Sequence, residues 1–498
     1  MKEPLAYGRP KTSQGVIAHL RRLTFTVVFS VMSLVHAAAQ TPDPQAPGQV
    51  SDPGRPALNP FPAEQDWSFL ARPAQHPDFF DPAKYIRLGD DPQKYIAFGL
   101  EYRTEYEYYD NWMLGAGPQD HNGYVLSRMM PHFDLHAGAN LRLFSEWEFD
   151  YVASRVGGPR PNIDEDAGDI HQTFVEIGPH VSSERGSSLR LGRQEVVLGS
   201  GRLFDNNEGP NVKLSFDGAR WITQTSPLRW DAFFLKPVRN NTGFFDDSPN
   251  AQQTTWGSYL TIPLPIVPHG MTDLYYIGFA AKNEAYNRDT ATELRNTIGI
   301  RVFRPAGRDV DYNWEANYQW GSFGNDSIAA WSVSTETGYT LIHAHFQPRP
   351  LLRADVYSGD TSETGNTLGT FNPLFPRGAY FTPKVAPILG PQNLMDIHPM
   401  VQFRLRQNVT GSIAWAWYWR ESIHDGVYAF GSGALMDPAN SSTMKYLGDQ
   451  GDMEIRWSPA AHFIAAFNLA GFQPGGFFNH VVNNHPPIAA NAGLTFRF

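Results

Sequence analysis

From Lys94 to Tyr108 apolar and polar positions alternate with a period of two. Ile96, Phe98, Leu100, Tyr102, Tyr106 and Tyr108 fall on one side, and Ala97, Gly99, Glu101, Arg103, Glu105 and Glu107 on the other. Neighbouring side chains of an extended strand point to opposite faces, so this is a strand with one apolar and one charged face. The pattern recurs along the chain. Asn140, Arg142, Glu146, Glu148 and Asp150 oppose Leu141, Leu143, Trp147, Phe149 and Tyr151. Asp311, Asn313, Glu315, Asn317 and Gln319 oppose Tyr312, Trp314, Ala316, Tyr318 and Trp320. Further runs follow at 396–406, 410–419 and 452–457. Sustained alternation of this kind predicts an all-β chain.

The links between the runs divide by parity. Odd-numbered links are mostly long: 110–123, 154–169, 199–212, 239–254, 360–393, 421–446 and 474–487. Even-numbered links are mostly short, near Gly138, Ser226-Pro227, 305–308, Pro348, Asn408 and Pro459. Two odd links, 286–293 and 321–326, are short exceptions. A soluble β-sandwich has no reason to sort its loops this way. A transmembrane barrel does, with long loops at one rim and tight turns at the other. The last run, Ile488–Phe498, alternates again and ends on an aromatic residue. Residues 93–498 are therefore predicted to form a transmembrane antiparallel up-and-down β-barrel of about 18 strands. Residues 228–238 and 254–264 give no clear facing.

Composition agrees. Of 498 residues 13% are aromatic and only 18% are charged, with a mean hydropathy of −0.38. Beyond the N-terminus no run of about 20 apolar residues, as a membrane helix needs, is found. There is no Cys, which excludes disulfides and thiolate metal sites. At the N-terminus Lys11, Arg21 and Arg22 precede an apolar stretch, Leu23–Val35, and Ala37-Ala38-Ala39 before Gln40. Residues 1–39 read as an export signal. Residues 40–92 read as a Pro-rich periplasmic extension and lead-in, better furnished with aromatics from Glu64 on.

One stretch, Ser187–Thr225, organises the rest. It reads as two strands, Leu189–Leu198 and Lys213–Thr223, around a loop of turn residues, Gly199–Val212. Arg193, Arg202 and Arg220 place three guanidinium groups on or near this hairpin, suited to an acidic ligand or an internal carboxylate. Arg193 shares the parity of Leu189 and Leu191, so a bulge near Gly192 is expected if it is to face inward. The runs Gly192-Arg193-Gln194, Gly199-Ser200-Gly201-Arg202-Leu203, Glu208-Gly209-Pro210-Asn211-Val212 and Ser215-Phe216-Asp217-Gly218 resemble the alginate-export family. The resemblance implies an outer-membrane barrel of a Gram-negative cell with an electropositive constriction. Its partners would be outer-membrane lipid and lipopolysaccharide, an anionic saccharide or other small hydrophilic solute, and periplasmic secretion partners. Arg103, Arg142, Arg193 and Arg353 sit where the family pattern is recognisable.

By facing, the inward bases are Arg103, Arg128, Arg142, Arg301, Arg353, Arg404, Arg406 and Arg456, with Arg193 and Arg220 from the hairpin. Glu101 and Glu146 join them as acidic lining. Inward carboxylates are at least as numerous, and opposite charges across strands stabilise a polar lumen without any ligand. The net charge of −10 also departs from a plainly basic pore. The longest link, 360–393, carries Phe371, Asn372 and Arg377 and is a candidate gating loop.

Catalytic motifs are missing: no G-x-S-x-G, H-E-x-x-H or Walker loop occurs, so an enzyme is not expected. His343 and His345 share a strand face without a third ligand nearby. Asp164, Glu165, Asp166 and Asp169 lack EF-hand spacing and read as a solvated acidic loop. No metal or cofactor is expected, and no basic domain points to nucleic acid. The function expected is passive conduction of a hydrophilic, anionic solute such as an alginate-like saccharide. The alternatives are a general or nutrient-uptake porin, and a non-conducting barrel serving as receptor, adhesin or enzyme.

Overall fold

The computed structural model describes residues 58–72, 77–115, 118–181, 185–307, 309–378, 389–430, 435–481 and 485–498. The expected export signal lies outside them. Eighteen long strands form one closed antiparallel barrel. The first nine are β1 (Lys94–Asp110), β2 (Asp120–Ala137), β3 (Leu141–Ala153), β4 (Asp166–Ile177), β5 (Arg185–Gln194), β6 (Phe216–Thr225), β7 (Leu228–Arg239), β8 (Gln253–Pro263) and β9 (Met271–Ala285). The second nine are β10 (Thr290–Arg304), β11 (Val310–Phe323), β12 (Asp326–Tyr339), β13 (Arg349–Tyr357), β14 (Leu394–Arg406), β15 (Val409–Arg420), β16 (Tyr446–Ala460), β17 (Phe463–Pro474) and β18 (Ile488–Arg497). Each strand pairs with the next, and β18 returns to β1 in the register Glu101↔Arg497. Closure leaves no sheet edge whose backbone polar groups would face lipid.

The barrel is inside out relative to a soluble sheet. On β1, Glu101, Arg103, Glu105 and Glu107 are buried, while Phe98, Tyr102 and Tyr106 are exposed. Trp147, Trp221, Trp314, Trp331, Trp415 and Trp457 are likewise exposed on other strands. Acyl chains cover such a surface, and the charged face turns inward. Glu101 joins the seam: Arg497 Nε donates to its Oε2 at 2.6 Å and Arg128 Nη2 to its Oε1 at 2.7 Å. The ambiguous 228–238 run resolves with Phe233 and Leu235 inward and Phe234 outward. Its inner face carries Asp231 toward the tight turn and becomes apolar at Phe233 and Leu235, where a loop, not water, packs on it.

The long links gather at one rim and the tight turns, such as 226–227, 407–408 and 461–462, at the other. The extension docks at the tight-turn rim. The Phe80 ring stacks on Phe498 at 4.3 Å, and His462 Nε2 lies 2.8 Å from Asp78 Oδ2. Lys84 is buried between the Trp67 and Phe498 rings, and burial pushes its amine down to about 7.

Several expectations need correction. The hairpin strands end at Gln194 and begin at Phe216, so the loop between them is longer than the turn residues alone suggested. Pairing runs without a shift through Gly192, so no bulge turns Arg193 inward. Arg193 keeps the outward parity of Leu191, in a row with Asp217 and Lys236. Arg406 is not inward either: a bulge between Arg404 and Arg406 aligns it with Val409 and the exposed Trp457, and it is exposed. His343 and His345 lie in the turn after β12, where the chain is no longer a strand. The acidic loop is not simply solvated. Asp164 is fully buried and accepts from the Arg160 backbone and guanidinium at 2.7 and 2.8 Å.

Candidate functional site

Residues 195–215, between β5 and β6, do not stand out from the rim. They cross the bore as a strap. At one end Arg103 of β1 donates to the carbonyl oxygens of Glu208, at 2.9 Å, and of Pro210, at 2.6 Å. Beside it Arg128 of β2 donates to Glu208 Oε1 at 2.7 Å and to the Asn211 carbonyl at 3.2 Å. At the other end Arg202 Nη1 donates to Glu315 Oε2 of β11 at 2.8 Å, and Ser200 Oγ donates to the same oxygen at 2.7 Å. β1 and β11 lie across the barrel from one another, so the strap spans it. Gly199 makes the approach possible. It has φ +57°, and a Cβ there would come within 1.9 Å of the Tyr259 hydroxyl.

Charge holds the strap down. Lys213 Nζ lies 2.8 Å from Glu208 Oε2 and 3.4 Å from Glu195 Oε1. Burial alone would raise the Glu208 carboxyl, but Arg128 and Lys213 outweigh it and hold the group down to about 2. Glu195 in turn faces His171 Nε2 at 2.8 Å. Leu203 and Phe204 join the apolar patch made by Phe216, Phe233 and Leu235, which explains why that part of the inner wall is not polar.

The longest link joins the strap inside the lumen. Phe375 N donates to Leu203 O and Asp205 N to Phe375 O, both at 2.9 Å. Arg377 Nη2 donates to Asp205 Oδ1 at 2.6 Å. The Phe375 ring packs edge-on against Phe204 and Phe216. Phe371 is fully buried against Tyr357, and Asn372 donates to Tyr286 Oη and Glu293 Oε1 of the wall. Arg288 clasps the loop's root, donating to Asp360 Oδ2 at 2.7 Å and to the Ser362, Gly365 and Thr367 carbonyls. The three residues expected on a gate thus sit in the bore, not on an outer cap.

The remaining candidate arginines are distributed along the inner wall, most of them paired. Arg142 donates to Asp134 at 2.7 and 2.9 Å. Arg220 donates to Asp231 at 2.8 Å. Arg301 donates to Asp273 at 2.9 Å. Arg353 lies 3.6 Å from Glu336, and Arg456 donates to Glu454 at 2.5 Å. Glu146 accepts from Gln172 and stands with His171 and Glu195 in a buried cluster. Among the described residues Arg404 has no side-chain partner. Arg193 donates to Asp217 at 3.0 Å on the outer row. The three hairpin guanidiniums therefore do not converge on one ligand: each answers a different internal carboxylate.

Sequence reading missed Glu208, Lys213 and Arg190 as site residues. Glu208 stood inside a recognised motif, and Arg190 has the inward parity that Arg193 lacks. What gave no signal was the pairing of a loop with a wall more than 100 residues away in sequence.

A family model described as alginate export matches residues 94–486, most of the chain. The chain belongs to the alginate export family. No curated protein matches it. Among solved structures, this family member is similar to OpdK of Pseudomonas aeruginosa, determined with vanillate. The identity is 11% over 81% of this chain and 98% of that one, with a TM-score of 0.54. A BenF-like porin from Pseudomonas fluorescens Pf-5 has 10% identity over 81% of this chain and 98% of that one, TM-score 0.54. OccK11 (OpdR) of Pseudomonas aeruginosa has 10% identity over 83% and 98%, TM-score 0.51. Identities this low show a shared fold. With the family, they make this chain an outer-membrane β-barrel channel of a Gram-negative cell, in contact with membrane lipid and a small hydrophilic solute.

Proposed function

We propose that the barrel conducts a hydrophilic, anionic solute, of the class of uronate oligo- or polysaccharides, passively down its gradient. The strap and the described part of the longest link, 360–378, act as its gate. The observation that carries this reading is the strap itself, held across the bore by guanidinium–carboxylate pairs at both ends. A bare buried charge is costly, but a guanidinium that exchanges one carboxylate for another stays paired throughout. A carboxylate-bearing solute can therefore take over Arg128 or Arg202 step by step, where a neutral one leaves a charge uncovered. In a narrow bore of low effective dielectric that difference is larger than in bulk water. Several weak exchanges in series let the solute enter without trapping it.

Planar-bilayer conductance of the refolded mature chain, 40–498, tests this. We expect an anion-selective current in a salt gradient that soluble polyuronate blocks. A cation-selective current would leave a porin whose acidic lining dominates and would remove uronates as cargo. No current under any condition would favour the non-conducting barrel, for which a bore crossed by a strap is the supporting observation.

A further inference from the structure

Four guanidinium groups line one inner wall toward the tight-turn rim: Arg142 of β3, Arg190 of β5, Arg220 of β6 and Arg229 of β7. Register carries the first three into one row, through Arg142↔Glu176, Glu176↔Arg190 and Arg190↔Arg220. Among the described residues, the wall carboxylates paired with them are Asp134, Glu176 and Asp231. Four cations thus face three anions. The fourth carboxylate comes from outside the wall. The extension enters the bore and presents Glu64, whose Oε1 accepts from Arg190 Nη1 at 3.1 Å. One residue earlier, Ala63 packs on Phe144 and Phe174, and its carbonyl accepts from Arg142 Nη2 at 2.8 Å. Arg142 Nη1, fully buried, has no hydrogen-bond partner among the described residues, with Glu176 Oε2 3.7 Å away. The hold on Glu64 is electrostatic. Burial works against its ionisation, but Arg190, Arg229 and Arg220 outweigh burial and keep the carboxyl below its ordinary value.

We propose that Glu64 is a built-in surrogate carboxylate seated on this arginine row, and that an incoming uronate docks there by displacing it. The inference rests on the reading of the barrel as a conduit for carboxylate-bearing solutes and adds where such a solute first docks and what it must move. Glu64 sits on a short 3-10 turn, Pro62–Glu64, that itself meets the wall through one ion pair, one backbone carbonyl and one apolar contact, while Leu58 and Trp67 on either side pack with Tyr95 and Ala97 and keep the extension anchored. A uronate replaces the first of these with a like charge, so the exchange keeps Arg190 paired while the Glu64 turn lets go.

The chain has no cysteine, so a single Ala63→Cys or Gln65→Cys variant of the full mature chain gives a clean reporter. The readout is the rate of modification by a water-soluble thiol reagent. Short oligogalacturonate is expected to accelerate labelling severalfold over a neutral maltooligosaccharide at equal ionic strength. Glu64→Gln in the same background is expected to give fast labelling without any ligand. Labelling that is slow and indifferent both to oligogalacturonate and to Glu64→Gln, at both reporter positions, would overturn the proposal and make the segment a fixed part of the wall. Labelling freed by Glu64→Gln but indifferent to oligogalacturonate would also overturn it, since Glu64 would then be no surrogate for a uronate. Neither readout uses current, so an anion-selective, uronate-blocked channel with inert labelling would separate the failure of this inference from that of the conduction reading.

Discussion

Arg202 on the strap donates to Glu315 Oε2 on β11 at 2.8 Å, and that pair ties a loop rooted between β5 and β6 to the far side of the barrel. Both side chains are almost completely buried. Glu315 also accepts from Tyr275 at 2.6 Å through its other oxygen, so the anchor is satisfied from two directions.

Removing one partner of such a pair leaves the other charged and buried, at a cost of about 3–5 kcal/mol. Glu315→Gln is therefore expected to free the strap's Arg202 end. Single-channel recordings should show larger conductance and more open-channel noise than the parent. Unchanged current would mean that the strap's remaining contacts, at Arg103, Arg128 and the Phe375–Arg377 segment, hold it without this pair.

Arg128 bonds two carboxylates, Glu101 of the seam and Glu208 of the strap, each at 2.7 Å. Arg128→Gln is expected to lower the temperature at which the folded barrel loses its compact mobility on gels. Arg128→Lys should rescue only in part, because an ammonium cannot present the planar fork that reaches both. Full rescue by Lys would argue that charge alone matters there.

Selectivity should depend on the arginine that is not already spoken for. Arg404→Gln is expected to shift the zero-current potential toward cations. Arg301→Gln is expected to reduce refolding yield with little effect on selectivity in the barrels that do form, since Arg301 already answers Asp273. A selectivity change equal in both variants would contradict this division.

The strap should loosen in acid. Glu208 is held down to about 2 against an ordinary 4.5. Because the folded value is depressed, its contribution is fully present above about 4.5 and is lost as pH falls from there through about 2. Single-channel conductance should be steady from pH 7 to 5 and rise below 4.5, and Glu208→Gln should flatten that rise. A rise between pH 7 and 6 would point to a different group.

The 360–393 link was visible as the longest and as a candidate gate, yet its partners on the strap, Leu203 and Asp205, were not. Arg193 shows the limit from the other side. A motif glycine beside it suggested a bulge, but cross-strand pairing kept the register and left the side chain outside. Arg406 went the opposite way, moved to the outer row by a bulge that nothing in Leu405–Gln407 announces.

The barrel itself was determined locally. Alternation of period two is a consequence of extended backbone geometry, so most strands declare both their existence and their lipid face from their own residues. Parity of link length then fixes the up-and-down order. What crosses the lumen could only be decided in three dimensions. A strap pairs Arg202 with Glu315, a second loop pairs Arg377 with Asp205, and an extension pairs Glu64 with Arg190. Each pair joins residues more than 100 positions apart. Any of the inward carboxylates could have answered any of those guanidiniums by charge, and only closure of the sheet set the distances that chose among them.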